Sequence, residues 1–159
     1  MSKLVLEKIL RKFPDDIISS HSDFGNETVV VKKDILLKVI DFIKNTRQID
    51  IDVLVDITCV DYPENEDRFM MVYHFYSTKY KYRIRIKTPV NEEHPFVDTL
   101  TQIWESANWL EREVYDMFGI KFKNHPNLKR ILLYDSFEGH PLRKDYPITK
   151  RQPIIGPLN

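Results

Sequence analysis

The sequence of 159 residues has the length of one ordinary domain and is long enough to bury a hydrophobic core. Its 24 basic and 24 acidic residues give a formal net charge of zero, which argues against non-specific attraction to nucleic acid or to an anionic membrane. The single cysteine excludes an internal disulfide and an iron–sulfur cluster held by four cysteines of this chain.

The apolar stretches of the chain are short. None approaches the roughly 20 consecutive residues that a membrane-spanning helix needs. Glu7 and Lys8 interrupt the apolar run at residues 4–6, so the N-terminus does not have the pattern of a signal peptide. We therefore expect a soluble chain that associates with a membrane only through another subunit.

The first third of the chain alternates between helix and strand patterns. Residues 1–13 predict an amphipathic helix that ends before Pro14, and residues 17–22 and 27–32 predict two strands around an Asp-Phe-Gly-Asn turn. Asp34 is placed to cap a second helix, whose inward residues are Ile35, Leu36, Val39, Ile40 and Ile43. The few glycines form no recognisable phosphate-binding loop.

Three further strands are predicted in the middle of the chain. Residues 51–59 alternate, and the apolar face consists of Ile51, Val53, Val55, Ile57 and Cys59. Residues 69–76 are mostly apolar, which predicts a central strand covered on both faces. From residue 80 to residue 87 apolar and basic residues alternate, so one face carries Lys81, Arg83, Arg85 and Lys87.

This basic face could bind RNA, be solvated or contact an acidic neighbour. Proteins that bind single-stranded RNA place aromatic side chains beside cations on one surface. Here Tyr80 and Tyr82 alternate with the cations and are predicted on the opposite face. The pattern therefore favours a solvated face or an acidic neighbour over RNA.

The order of elements predicts an α+β fold. We expect a mixed, largely antiparallel sheet of about five strands, with helices packed against it and a long extended C-terminal tail. Residues 1–118 would form the globular domain, and residues 119–159 an extended partner-binding segment of the same domain.

The most informative stretch spans residues 107–147. Its helical spacing predicts a core face of Ile103, Ala107, Leu110, Val114 and Met117. The opposite face then carries Trp109, Arg112, Glu113 and Asp116, with Arg112 and Asp116 close enough to pair. A solvated face is one interpretation and a partner-binding face is the other, because Trp and Arg are frequent at interface hot spots.

Beyond this helix, which Gly119 is predicted to end with a positive φ, we expect an anchored coil. Two His-Pro dipeptides force His125 and His140 into extended geometry, and no ligand spacing typical of a zinc site is present. Residues 142–147 are predicted to be extended and to offer Arg143 to a carboxylate. The apolar residues near the C-terminus are predicted to bind a partner: Ile154, Ile155 and Leu158.

Independent catalysis is not indicated by this stretch. Its candidate acids and bases are Glu111, Glu113, Asp116, His125 and His140. The sequence shows no pocket that would separate the pKa values of paired carboxylates, and no Ser or Cys in a nucleophile context. We expect no catalytic, cofactor-binding or metal-binding residue in this chain.

Four segments of the same stretch carry a resemblance. They are ANWLERE at 107–113, DMFGI at 116–120, HPNLKRIL at 125–132 and GHPLRKDYP at 139–147. Together they resemble the signature of the 30 kDa subunit family of proton-translocating NADH:quinone oxidoreductase, respiratory complex I. Asn127 and the segment Pro-Phe-Val at 95–97 depart from the family pattern, which commonly has Asp and Pro-Ser there.

The resemblance implies a non-redox structural subunit of the peripheral arm, on the cytoplasmic side of the cell inner membrane. Such a subunit supports electron transfer from NADH to quinone, coupled to proton translocation, by packing against the large quinone-site subunit and neighbouring iron–sulfur subunits. FMN, iron–sulfur clusters and quinone are then expected in partner subunits. An equivalent subunit of a membrane-bound hydrogenase or formate hydrogenlyase-type complex is the alternative.

The resemblance also implies a set of partner-interface residues. They lie on the helix and on the segment after it: Trp109, Arg112, Glu113, Asp116, His125, Arg130, His140, Arg143, Lys144 and Asp145.

Overall fold

The computed structural model describes residues 2–153. Three α-helices and seven strands follow one another along this part of the chain. They are α1 (Lys3–Lys12), β1 (Ile17–Asp23), β2 (Asn26–Val31), α2 (Leu36–Asn45), β3 (Val53–Asp61), β4 (Phe69–Tyr76), β5 (Arg83–Val90), β6 (Phe96–Asp98), α3 (Ala107–Phe118) and β7 (Lys121–Lys123). A 3₁₀ helix at Lys33–Ile35 precedes α2.

The main sheet has five strands in the order β1-β2-β5-β4-β3. All neighbouring strands are antiparallel except β2 and β5, which are parallel. The short strands β6 and β7 form a second, parallel pair. The predicted α+β fold with a mixed, largely antiparallel sheet is therefore confirmed.

The helices pack on one face of the main sheet. Their buried residues, such as Ile9, Ile40 and Val114, belong to the same apolar core as the inward residues of the central strands, such as Tyr73 and Ile86. The side chains that alternate with these inward residues lie outside that core. No helix of residues 2–153 packs on the opposite face, which we call the open face.

The start of α2 differs from the prediction. Asp34 lies inside the 3₁₀ helix and makes no capping hydrogen bond. The turn runs directly into α2, so that Lys32 O and Lys33 O accept the N–H groups of Ile35 and Leu36. Because the turn itself supplies these acceptors, the helix begins without a side-chain cap.

The predicted core positions of Val53 and Val55 were wrong. A bulge lies between Leu54 and Asp56, where β3 pairs with β4. One extra residue in a strand shifts the alternation of its side chains. Leu54 is therefore buried and Val55 is 49% exposed, whereas Ile57 and Cys59 beyond the bulge face the core as predicted.

The C-terminal segment has little regular structure apart from β7. Residues 141–146 form successive turns, so the extended arm predicted at 142–147 was wrong. The physical reason is that hydrogen bonds fold this stretch back on itself, from Arg143 N to His140 O and from Tyr146 N to Arg143 O. The predicted partner contacts of Ile154, Ile155 and Leu158 fall outside the described residues.

The bulge makes a prediction for stability. Replacing a buried Leu with Ala removes packing and leaves a cavity, so Leu54→Ala should lower the free energy of unfolding by about 2–5 kcal/mol. Val55→Ala should change it by no more than about 0.5 kcal/mol, as expected for a surface substitution. Urea unfolding of both variants measures the difference, and a larger loss for Val55→Ala would contradict the register.

Candidate functional site

The C-terminal segment satisfies the end of α3. Gly119 follows the helix with φ +77°, and its N–H donates to Tyr115 O at 2.9 Å. The last carbonyl groups of a helix have no partner within the helix. Here the segment supplies the donors: Leu142 N to Met117 O at 3.1 Å, Arg143 Nε to Phe118 O at 2.6 Å and His140 Nδ1 to Asp116 O at 2.9 Å.

The side chain of Asp116 is fully buried beneath the same segment. Its Oδ2 accepts the N–H groups of Ile131, Leu132 and Leu133 at 3.0, 2.9 and 2.9 Å. Its Oδ1 accepts Nη1 of Arg130 at 2.6 Å. Burial alone would raise the pKa of this carboxyl group, but these donors outweigh it and lower the pKa below its ordinary value.

The outward position predicted for Asp116 was therefore wrong, and so was its pairing with Arg112. Arg112 donates instead from Nε to Lys129 O and from Nη2 to Arg130 O, both at 3.0 Å. A buried carboxylate needs several donors, which one arginine four residues earlier on the helix does not provide. Residues 130–133 provide them by crossing over the helix.

Arg130 also holds the next turn of the segment. Its Nη2 donates to Phe137 O at 2.9 Å and to Gly139 O at 3.2 Å. One guanidinium thus joins the carboxylate of Asp116 to the backbone before His140.

A second ionic cluster ties the segment to the sheet. The side chain of Arg68 is 7% exposed and binds both oxygens of Asp61 at 2.7 and 2.8 Å. It also contacts Glu92 at 2.6 Å and Asp145 at 2.9 Å. Asp61 accepts the N–H of Lys144 at 2.6 Å as well, and its hydrogen bonds with Arg68 lower the pKa of its carboxyl group.

This cluster changes the interpretation of the predicted arm at residues 143–145. Arg143 and Asp145 bind groups of their own chain, and the side chain of Lys144 is exposed. Sequence reasoning missed the ionic roles of Arg68 and Asp61 because both lie outside residues 107–147, which carry the signature. Their partners lie up to 83 residues away, and hydrophobic periodicity carries no signal for such a pairing.

A third buried carboxylate, Glu111, lies on the core side of α3. It accepts Leu100 N at 2.6 Å and Thr99 Oγ1 at 2.5 Å. Burial raises the pKa of Glu111 to about 7. The side chain of His125 is also buried, with Nε2 3.9 Å from Glu111 and 3.2 Å from Asn108 O, and burial lowers the pKa of His125.

The outward surface of α3 is centred on Trp109. This side chain is 63% exposed, and the guanidinium carbon of Arg112 lies 5.2 Å from its ring centroid. A shallow groove of about 500 Å³ runs beside it, lined in part by Asn108, Pro126 and Asn127. We call Trp109, this groove and the exposed Glu113 the Trp109 surface; Leu132, Leu142 and Ile148 are further exposed apolar residues on the segment.

The described chain holds neither a metal-binding cluster nor a membrane span. Within residues 2–153, no three or more His, Cys, Asp or Glu side chains are grouped so that they could hold a metal ion. In that same range, no helix has both the length and the apolar character needed to cross a membrane.

Gly119 provides a matched test of the contact between α3 and the segment. A Cβ atom at Gly119 would lie 2.6 Å from His140 Nε2 and 2.8 Å from Arg143 Nη2, whereas one at Gly25, which has the same φ, would meet nothing within 4 Å. Gly25→Ala should lower the free energy of unfolding by about 1–2 kcal/mol because of the positive φ. Gly119→Ala should lower it by at least about 1 kcal/mol more, because its Cβ would also clash with the segment. Equal losses in thermal unfolding would mean that the segment does not pack on the helix.

Glu111 makes a prediction for pH dependence. With a folded pKa of about 7, above its ordinary value, Glu111 is protonated in the folded chain at pH 5. The stability of wild type should therefore fall as the pH rises from 5 to 8, by about 2–3 kcal/mol from this group. Glu111→Gln keeps an acceptor for Leu100 N and removes this titration. Denaturant unfolding of both chains across this range should show that the free energy of unfolding of the variant rises relative to that of wild type as the pH increases. Parallel curves of this free energy against pH would contradict the prediction.

Comparisons with known proteins agree with the resemblance carried by residues 107–147. The family model of the respiratory-chain NADH dehydrogenase 30 Kd subunit matches residues 29–152. A subunit of the NADH-quinone oxidoreductase of Trichlorobacter lovleyi is 46% identical over 157 residues, which are 97% of this chain and 96% of that protein. The corresponding subunit in Geobacter sulfurreducens is 43% identical over 155 residues, with 96% and 94% covered.

Two solved structures share the fold. The trypsin-resistant fragment of Nqo5 is 32% identical and has a TM-score of 0.68, with 79% of this chain and 98% of that chain covered. A chain of the membrane-bound sulfane sulfur reductase, an archaeal respiratory membrane complex, has a TM-score of 0.73 at 22% identity, with 92% and 86% covered. From the family model and the two bacterial relatives, the chain belongs to the family of the 30 kDa subunit of respiratory-chain NADH dehydrogenase.

Proposed function

We propose that this chain is a non-redox structural subunit in the peripheral arm of NADH:quinone oxidoreductase. In this role it packs against the large quinone-site subunit and neighbouring iron–sulfur subunits on the cytoplasmic side of the inner membrane. It supports electron transfer from NADH to quinone, coupled to proton translocation. FMN, the iron–sulfur clusters and quinone are bound by those partners.

The observation that carries the proposal is the exposed apolar surface of α3 and the segment after it. Trp109 stands beside a guanidinium and a groove, which is the composition of an interface hot spot. Leu132, Leu142 and Ile148 extend the exposed apolar surface along the segment. Apolar side chains held outward by a fixed backbone favour a partner that covers them.

The buried residues of the signature fix the backbone that carries this exposed apolar surface. Asp116 and Arg130 fix residues 130–133, and Arg143 with Asp145 fixes the turns that follow. A preformed surface loses less conformational entropy when a partner binds. We therefore assign the internal residues to shaping the interface, and Trp109, Glu113 and Lys144 to contacting the quinone-site subunit.

Four of the five candidate acids and bases are engaged in the chain's own structure, the exposed Glu113 being the exception, which supports the absence of an independent catalytic site. Both Glu111 and Asp116 are fully buried and bound to backbone N–H groups. His125 and His140 are bound to backbone carbonyl groups. A general acid or base has to reach the substrate directly or through one water.

A pull-down from membranes tests the proposed role. The tagged chain, expressed in its own organism and extracted in mild detergent, should recover a large complex with NADH:quinone reductase activity. The isolated chain should have none. Activity of the isolated chain would contradict the structural role, and a complex that evolves hydrogen would indicate the hydrogenase-type alternative.

Trp109→Ala tests the contact with the quinone-site subunit. The substitution lies on the surface, so the stability of the isolated chain should change by no more than about 0.5 kcal/mol. Binding to the purified quinone-site subunit should weaken by about 2 kcal/mol or more, roughly 30-fold, as at other hot spots. Phe24→Ala, at the exposed tip of the β1–β2 hairpin, is the matched control and should bind normally. Equal affinity of both variants for the quinone-site subunit would mean that Trp109 is not part of the interface.

A further inference from the structure

The open face of the main sheet carries a row of cations along its middle strand. The strand is β5, third in the order of five, and the cations are Arg83, Arg85 and Lys87. We call these three residues the basic row. Lys81, predicted to belong to it, lies in the turn before the strand, where Tyr80 and Tyr82 stack on each other at 5.4 Å.

The strand register places the side chains of the basic row on this face. Lys87 lies between Val72 of β4 and Val30 of β2. These two valines are only 5% and 8% exposed, although no described helix covers them. We attribute their burial to the aliphatic stem of Lys87, because a lysine stem can lie over apolar neighbours while its ammonium group stays in solvent. Arg83 is held in a similar way, with its guanidinium carbon 4.9 Å from the ring centroid of Tyr76.

The basic row lacks counter-charges within the described chain. No carboxylate of residues 2–153 forms an ion pair with it, whereas Arg68 and Arg130 are paired on the other side of the molecule. Two carboxylates lie in the strand rows of this face, each two strands away from β5: Asp56, opposite His74, and Asp23, opposite Asn26. Asp23 contacts Nδ1 of His21 at 2.9 Å. Residues 154–159 contain no Asp or Glu.

Carboxyl and imidazole groups also border this face. A groove of about 290 Å³ is lined by Asp56, His74, Arg83 and Arg85, and also by Glu27, whose Oε1 accepts the hydroxyl of Ser22. Burial, and then the charge of Arg85, lowers the pKa of His74, so the imidazole adds no positive charge at neutral pH. The basic row therefore shares this face with Asp56 and with Asp23, which is already in contact with His21, while Glu27 borders the groove and is partly engaged by Ser22.

We propose that the open face docks an acidic polypeptide segment of a neighbouring subunit. Guanidinium groups pair with carboxylates in two-pronged geometry, and the groove offers two of them side by side. Exposed apolar residues border the row on both sides: Ile18 on β1, and Val55 and Val60 on β3. A strand or loop with Asp and Glu among apolar residues would satisfy both the charge and the apolar rim.

This docking surface is separate from the Trp109 surface. It rests on the chain's being a subunit of a larger complex, and it holds whether or not the quinone-site subunit covers Trp109. We infer a polypeptide occupant because the aromatic rings near the basic row are already engaged within the chain: Tyr80 and Tyr82 stack on each other, and the guanidinium of Arg83 lies over the ring of Tyr76.

Photo-crosslinking in the assembled complex tests the proposal directly. A photoreactive p-benzoylphenylalanine at Thr58, in the same row as Val72 and Lys87, leaves all three cations in place. After irradiation of the purified complex, mass spectrometry should find Thr58 joined to an Asp- and Glu-containing segment of another subunit. An adduct with lipid, with nucleic acid, with a segment lacking acidic residues or with this chain alone would overturn the proposal.

Charge reversal gives a second test with a matched control. The variant Arg83→Glu, Arg85→Glu, Lys87→Glu should enter the complex at least about tenfold less than wild type, because it places like charges against the partner. The control reverses three exposed cations on the helices: Lys3→Glu, Arg11→Glu and Lys38→Glu. It should assemble as wild type. Equal incorporation of both variants would overturn the proposal.

Two comparisons separate the possible causes of a loss. Replacing the basic row with three Gln residues keeps most of each stem, so the isolated variant should keep the wild-type Tm and still lose incorporation. If it assembles normally at high and low salt, the proposal is wrong. Trp109→Ala is measured in parallel. If that variant assembles normally while the basic-row variants do not, the proposed Trp109 contact is contradicted and the present inference is supported. If Trp109→Ala fails to assemble while the basic-row variants assemble normally, the present inference is contradicted and the Trp109 contact is supported.

Discussion

The buried carboxylate of Asp116 accepts hydrogen bonds from three consecutive backbone N–H groups and from Arg130. An ionised carboxylate that is removed from water and left without partners costs several kcal/mol. Residues 130–133 therefore cannot leave α3 without leaving this charge unpaired. The helix and the segment after it fold as one unit, although the segment has almost no regular secondary structure.

The rest of the C-terminal segment depends on that anchor. Arg130 also binds carbonyl groups of the turn before His140, and Arg143 donates to the carbonyl of Phe118 at the end of the helix. Arg68 then fixes the far end of the segment to the sheet through Asp145. Residues that form one sequence signature thus divide into an internal set, which shapes the segment, and an outward set around Trp109. The open face on the other side of the sheet uses none of these residues.

The sequence predicts the elements of the fold well because hydrophobic periodicity is a local signal. It finds the strand β4, the helices and the end of α3 at Gly119. The predicted place of β4 was wrong in two respects, because β5 is the middle strand and the described helices cover only one face of the sheet. Hydrophobic periodicity fails where the structure is decided by contacts distant in sequence. The bulge beside Val55 depends on pairing with β4, and Asp116 looks like a solvated residue because its covering segment is not encoded in the helix pattern. Arg68 has no local signature, since charge pairing in the interior leaves no periodicity.

Hydrogen exchange of the isolated chain is the most direct test that the segment is folded onto α3 before any partner binds. Our account predicts that the amide groups of Ile131, Leu132 and Leu133 exchange as slowly as those of α3, because Asp116 holds all three. It also predicts that these three lose protection together in Asp116→Ala. Exchange at the rate of an unfolded peptide in the wild-type chain, with α3 still protected, would contradict the preformed surface.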